Sequence, residues 1–347
     1  MQNGTWPAAC AVCKRQETAG LPSRRTREGL AESISSTQTE NGIRTLDLRL
    51  GNSCNLACRM CSPFSSSALT KEWADQSPAL PPASATMRES LMAMNVAHTS
   101  VWEEDPKFWT ELFELAPKIE EIHFAGGEPF LNRAHVLYLE TLIQSGHSRE
   151  ARLSYNTNLT HVPEWLSRLA ENFREVRVLV SLDGVEAHAE YIRYPLKWGS
   201  FVSSLEKLDR LKAKYPDTIS VAFNTTLQVY TLSGLADLLK FLETHPYKNL
   251  PRETVANVLH NPVYFDLAEM PEPQKEQALA HVEQVRQNVS LPTSKALLAT
   301  LTTQIQTTPR AGSRPTWDDF CQVTRRYDLQ RKQDFSVLTS WTKLERP

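Results

Sequence analysis

Long apolar runs are missing from this 347-residue chain. Nothing in it approaches the roughly 20 consecutive apolar residues that cross a bilayer. The opening MQNGTWPAAC also lacks the basic flank and apolar segment of an export signal. A cytoplasmic protein with no membrane partner is therefore expected. An excess of charge of one sign is missing too, since 38 Lys plus Arg face 40 Asp plus Glu for a formal charge of −2. No global field draws nucleic acid or an anionic surface. Glycine is scarce, at 12 residues against 21 prolines, which excludes a collagen-like repeat, and 41% hydrophobic content excludes a disordered chain. The length suffices to bury a sizeable core in one large domain, or in one domain with a smaller attachment.

Cysteine is sparse but clustered. Six cysteines in a long chain without an export signal read as metal or redox ligands rather than as disulfides. Cys10 and Cys13 form a CxxC pair, Cys54, Cys58 and Cys61 form CxxxCxxC, and Cys321 stands alone. Three thiolates within eight residues can converge on one soft centre, zinc or iron and sulfur. A four-iron cubane held by three cysteines keeps one iron open to a small molecule, whereas a structural zinc site closes with a fourth ligand. Cys10, Cys13, Cys58 and Cys61 would make such a four-thiolate zinc site, but at an unusually long spacing and with Cys54 unexplained.

The first 40 or so residues show little apolar periodicity, and the run PSRRTRE with the Ser/Thr-rich ESISSTQTENG suggests a small appendage and linker at 1–40. Arg24, Arg25 and Arg27 suit a solvated basic face. From Thr45 the pattern becomes short β-like runs at 45–50, 119–127, 152–158, 176–184, 219–226 and 254–260. Helical spacing falls between them. Asp105 and Pro106 suit an N-cap and first helical position, ahead of the apolar stripe Phe108, Trp109, Leu112 and Phe113. Phe201, Leu205, Leu208 and Leu211 predict a second helix, and Leu232, Leu235, Leu239 and Leu242 a third. Alternating strands and helices imply a parallel sheet, either an open barrel or a doubly wound sheet. Ligands in both sit at the carboxyl ends of the strands, where CNLACRMC, GGEP, NTN and SLDG fall. The connection over 62–104, with PALPPAS, is long enough to hold a loop or lid. After Asp266 the chain turns helical and polar.

The segment GNSCNLACRMCSP resembles the cluster motif of radical S-adenosylmethionine (radical SAM) enzymes, with Met60 where that superfamily often has an aromatic residue. The second signature, Gly126, Gly127, Glu128 and Pro129, follows the second strand as in the family. The resemblance covers roughly 42–265 and implies a partial (β/α)6 barrel over 41–265, followed by a helical C-terminal extension over 266–347. It implies a [4Fe-4S] cluster on Cys54, Cys58 and Cys61, with S-adenosyl-L-methionine chelating the open iron and cleaved to methionine and a 5′-deoxyadenosyl radical. Gly126 and Gly127 would let backbone approach that ligand, and Glu128 would meet its ammonium, although Glu128 equally suits a helix N-terminus. By position, Asn156, Asn158, Ser181 and Asp183 resemble residues that hold ribose or the methionyl carboxylate. Asp183 followed by Gly184 equally suits a turn. Arg193 resembles an arginine that pairs with the cofactor carboxylate. His123, His260, Asn261 and Tyr264 could face substrate or serve as core and loop residues.

The opening TWPAACAVCKRQETAGLPSRR resembles the tail of the twitch module, the half-sized relative of the SPASM domain, with Cys10, Cys13, Glu17, Gly20, Ser23 and Arg24 in order. That resemblance implies a second iron-sulfur cluster to which Cys10 and Cys13 contribute, in a module whose upstream part is absent from this sequence. It implies oxidation or cross-linking of a peptide or protein side chain, or action on a small molecule as in related members, with an electron donor such as flavodoxin or ferredoxin.

Overall fold

The computed structural model describes Trp6, residues 10–18, Gly20, Ser23, Thr26, and residues 43–75, 102–309 and 317–339. The basic run at Arg24, Arg25 and Arg27 and the centre of the 62–104 connection lie outside these residues. Six strands form where period-two patterning places them: β1 (Thr45–Leu50), β2 (Glu121–Gly126), β3 (Arg152–Thr157), β4 (Glu175–Ser181), β5 (Ile219–Leu227) and β6 (Thr254–Val258). All five neighbouring pairs are parallel, and the strand order is β1-β2-β3-β4-β5-β6. A doubly wound sheet reverses its order at a switch point, whereas this one never reverses. The winding is therefore that of a barrel. Among the described residues β1 and β6 do not pair, which leaves the barrel partial.

The two faces of the sheet differ as the alternation demands. Ile122, Phe124, Leu153, Tyr155, Val176, Val178, Val180 and Phe223 are buried on the convex face under the helices. Phe124 stacks on Tyr155 at 5.1 Å, His135 of helix Ala134–Ser145 reaches both rings, and Trp165 of helix Trp165–Asn172 reaches Tyr155. The concave face is polar: Asp47, His123, Ser154 and Arg177 share one row across four strands.

Helix Pro106–Phe113 starts as expected, with the Asp105 side chain accepting from the Lys107 amide at 2.8 Å. Phe201, Leu205 and Leu208 are buried on the inner side of helix Trp198–Lys214. The third expected helix is broken into Val229–Ser233 and Leu235–Thr244 at Gly234. The break coincides with close packing, because a Cβ there would sit 2.8 Å from the His188 ring. Beyond Asp266 the described chain forms helices Glu272–Arg286, Pro292–Gln306, Trp317–Arg331 and Phe335–Leu338. Their overall composition is polar, but Leu297, Leu298, Leu301, Phe320, Val323 and Tyr327 are buried. Among the described residues no helix is long and apolar enough to cross a membrane.

Candidate cluster and cofactor site

β1 ends at Leu50, and the chain turns through Gly51 at φ +54° into the loop of Cys54, Cys58 and Cys61. Backbone bonds fix this loop against the stretch after the Glu186–Ile192 helix: Ala57 N donates to Tyr194 O at 2.6 Å and Arg59 N to Ile192 O at 2.8 Å. The Ser66 hydroxyl also donates to Leu56 O at 2.6 Å. Cys58 is buried, and Cys54 and Cys61 are half-buried. Burial pushes all three thiols up, Cys54 and Cys61 to about 12. The Cys58 thiolate raises both neighbours further, so the three sulfurs lie within electrostatic reach of one another. Among the described residues no group of three or more His, Cys, Asp or Glu closes around a single metal ion. The zinc tetrahedron of Cys10, Cys13, Cys58 and Cys61 thus has no counterpart here. A cubane presents its irons at separate corners and spaces its thiolates more widely than one ion does, and metal binding supplies the charge that deprotonates buried thiols. The donor set fits a cluster.

The glycine pair explains how two motifs far apart in sequence share one site. A Cβ at Gly127 would lie 2.2 Å from Ser53 O, and one at Gly126, at φ +115°, would lie 2.7 Å from Leu50 N. Gly127 N donates to Gly51 O at 3.0 Å and Glu128 N to Ser53 O at 2.9 Å. The close approach that these glycines permit is therefore to the cysteine loop itself. The Glu128 side chain is buried and caps the short turn Pro129–Leu131, accepting from Phe130 N at 3.0 Å. It also accepts from the Thr157 hydroxyl at 2.8 Å and from Asn158 N at 2.7 Å. Burial pushes its carboxyl up to about 7 against the pull of these donors. Glu128 thus has the turn-capping contact that its position allowed, and it ties the GGEP loop to the end of β3.

Around the thiols the expected polar residues fall into two groups. Asn158 is buried, its amide 3.8 Å from Cys54 Sγ and 3.0 Å from Asn55 Oδ1. Asp183 is buried at the end of β4, where Oδ1 accepts from Thr226 N at 2.6 Å and Oδ2 lies 2.5 Å from the Arg193 guanidinium. Arg193 also reaches Cys58 Sγ at 3.9 Å, which places its charge against the most buried thiol. Asn156 and Ser181 are half-buried on the concave side, at the carboxyl ends of adjacent strands. Asp183 and Arg193 partner each other, whereas Asn156 and Ser181 remain accessible.

The remaining candidates lie farther along the sheet. His123 Nδ1 is 3.1 Å from Ser154 Oγ on the concave face. His260, just past β6, contacts the buried Asp266 at 3.0 Å and Gln16 at 3.1 Å. Gln16 belongs to helix Ala11–Thr18, so the segment that carries Cys13 touches the carboxyl end of β6. Tyr264 is buried. A cavity of about 670 Å³ lined by Trp109, Phe113, Leu137 and Tyr138 opens between helices Pro106–Phe113 and Ala134–Ser145, away from the thiols. Sequence reasoning marked the motifs around Arg59 and Thr157 but not the loop-securing role of those two residues, and it passed over Asp328 and Arg331, because the partners of all four lie far along the chain.

A one-way parallel barrel brings three thiols together beyond its first strand, a donor set that suits a cysteine-held cluster. The sequence model of the radical SAM superfamily matches residues 48–242, and the chain belongs to that superfamily. Among solved structures it is similar to native anSMEcpe with bound AdoMet, at 18% identity and a TM-score of 0.42, over 71% of this chain and 60% of that one. It is similar as well to native anSMEcpe with bound AdoMet and Cp18Cys peptide, at 18% identity and a TM-score of 0.41, over 70% of this chain and 59% of that one. The match thus spans about 60% of the length of those chains. No curated protein matches.

Proposed function

We propose that this chain is a radical SAM enzyme that holds a [4Fe-4S] cluster on Cys54, Cys58 and Cys61, binds S-adenosyl-L-methionine beside it, and abstracts hydrogen from a peptide or protein side chain. The gathering of the three thiols at the carboxyl end of β1 carries this reading. When bound, the cluster supplies the electron that splits the sulfonium into methionine and a 5′-deoxyadenosyl radical. The chain supplies placement and electrostatics. Arg193 offsets thiolate charge at Cys58, and the Asn158 amide points a donor at Cys54. Both contacts favour the reduced, more negative state.

Gly126, Gly127, Glu128 and Pro129 form the loop that borders the cofactor, with Gly126 and Gly127 setting its distance from the cysteine loop. Asn156 and Ser181, accessible on the concave face, offer amide and hydroxyl groups to ribose. Asp183 fixes Arg193 in place, and Arg193 would pair with the methionyl carboxylate. Cys10 and Cys13 contribute to a second iron-sulfur cluster of a twitch-type module seated near β6, which the Gln16 to His260 contact supports. The peptide or protein substrate follows from the resemblance of the opening segment to that module. A flavodoxin or ferredoxin supplies electrons in the cytoplasm.

The test is anaerobic reconstitution followed by incubation with S-adenosyl-L-methionine and dithionite. About four irons with matching sulfide at the barrel site, together with 5′-deoxyadenosine, are expected. Zinc without sulfide would favour a binding module instead. An intact cluster that yields no 5′-deoxyadenosine would refute catalysis.

A further inference from the structure

Cys58 is bracketed by two residues that anchor it to a helix far along the chain. On one side is Arg59, whose side chain is 0% exposed. Its guanidinium donates to Tyr191 O at 2.9 Å, to Asp328 Oδ1 at 2.7 Å and to Gln333 Oε1 at 2.9 Å. It lies 3.5 Å over the Tyr191 ring, and the Tyr191 hydroxyl donates to the same Asp328 oxygen at 2.8 Å. On the other side is Ala57, whose carbonyl accepts from the buried Arg331 at 2.7 Å. Arg331 also pairs with Glu72 at 2.5 Å and sits 4.2 Å over the Tyr327 ring. Asp328 and Arg331 are both on helix Trp317–Arg331. The Tyr327 hydroxyl of that helix accepts from the Trp73 indole at 2.6 Å.

We infer that helix Trp317–Arg331 is a positioning element of the cluster loop, and that Asp328 and Arg331, acting through Arg59 and the Ala57 carbonyl, help to set where Cys58 stands relative to Cys54 and Cys61. The inference rests on the cluster reading above and deepens it. Stability alone does not account for the arrangement, because apolar side chains of similar volume replace buried ion pairs at little or no loss. Directional guanidinium forks accomplish what apolar packing does not: they fix one register between loop and helix. The two forks act on residues 57 and 59, so Cys58 is held from both sides.

The experiment compares the full chain, before and after anaerobic reconstitution, with Asp328→Asn, Asp328→Glu and Glu72→Gln. Hydrogen exchange before reconstitution should speed up about tenfold or more at amides 57–61 in Asp328→Asn, with β3 and β4 unchanged, because the Arg59 charge loses its partner. Asp328→Glu should restore most of the protection. After reconstitution, Asp328→Asn should hold less iron and show an altered electron paramagnetic resonance signal of the reduced cluster. If Asp328→Asn does not fold, Glu72→Gln reads the second fork by the same local exchange. Wild-type exchange at 57–61 in a folded variant, or a uniform speed-up with an unchanged cluster signal, overturns the positioning role. Absence of iron from reconstituted wild type would sink the cluster reading instead, while the exchange result still decides whether the helix holds the loop.

Discussion

Gly127→Ala tests most directly whether the two signature loops are built into each other. The added methyl would meet Ser53 O at 2.2 Å, Ser53 C at 2.6 Å and Asn52 C at 2.8 Å, all backbone atoms with no rotamer to yield. Relieving the clash requires the loops to part, which costs about 1–3 kcal/mol by analogy with overpacked cores. Parting them also weakens the bonds from Gly127 N and Glu128 N, at about 1 kcal/mol each. A total of roughly 3–5 kcal/mol is expected. Urea unfolding of the full chain before cluster loading measures it, as a midpoint lowered by about 1 M or more with an unchanged slope. Reconstituted iron should fall in parallel, because the displaced loop carries Cys54. A loss below about 0.5 kcal/mol with full iron loading would refute the argument that these glycines exist for contact between the loops.

Three further outcomes follow from the same structure. Glu128 has its carboxyl raised from 4.5 to about 7 by burial, so the folded state holds a proton that the unfolded chain has released. Its contribution to stability therefore falls as pH climbs from about 4.5 to 7, by up to about 3 kcal/mol. Glu128→Gln should flatten that stretch of the stability curve before cluster loading, and parallel curves would contradict it. His135 has the opposite sign: burial among Phe124, Tyr155 and Trp165 lowers it from 6.5 to about 3. Its neutral form is favoured in the fold, so stability is lost as pH drops below 6.5. His135→Leu should resist unfolding at pH 4 by about 3 kcal/mol relative to wild type, read by the same urea titration. Cys58→Ala should abolish the barrel cluster and cofactor cleavage together while Cys321→Ala leaves both near normal, and iron with turnover retained in Cys58→Ala would overturn the ligand assignment.

Much of this fold is legible in sequence because its signals are local. Alternation locates β1 to β6, and Asp105 before Pro106 locates a helix start, since each depends on residues within a few positions. The cysteine loop and GGEP are legible by spacing. What escapes is whatever depends on partners brought together by folding. The break at Gly234 coincides with close packing against His188 on another helix. Arg59 carries no local sign of a partner within its motif, because its carboxylate partner lies 269 residues away. Glu128 shows the intermediate case, because its capping contact is two residues distant while its bonds to Thr157 and Asn158 cross to the next strand.

The tie from Arg59 to Gln333 spans 274 residues and has a consequence for biogenesis. At ribosomal speeds of about 5–20 residues per second, roughly 15–55 s pass between translation of the cysteine loop and translation of the residues that clamp it. Through that interval the nascent thiols lack their final scaffold. On the proposed cluster reading, iron and sulfide delivered by the cell would meet a finished socket only after helix Trp317–Arg331 emerges, which would make metallation a late event in the life of the chain.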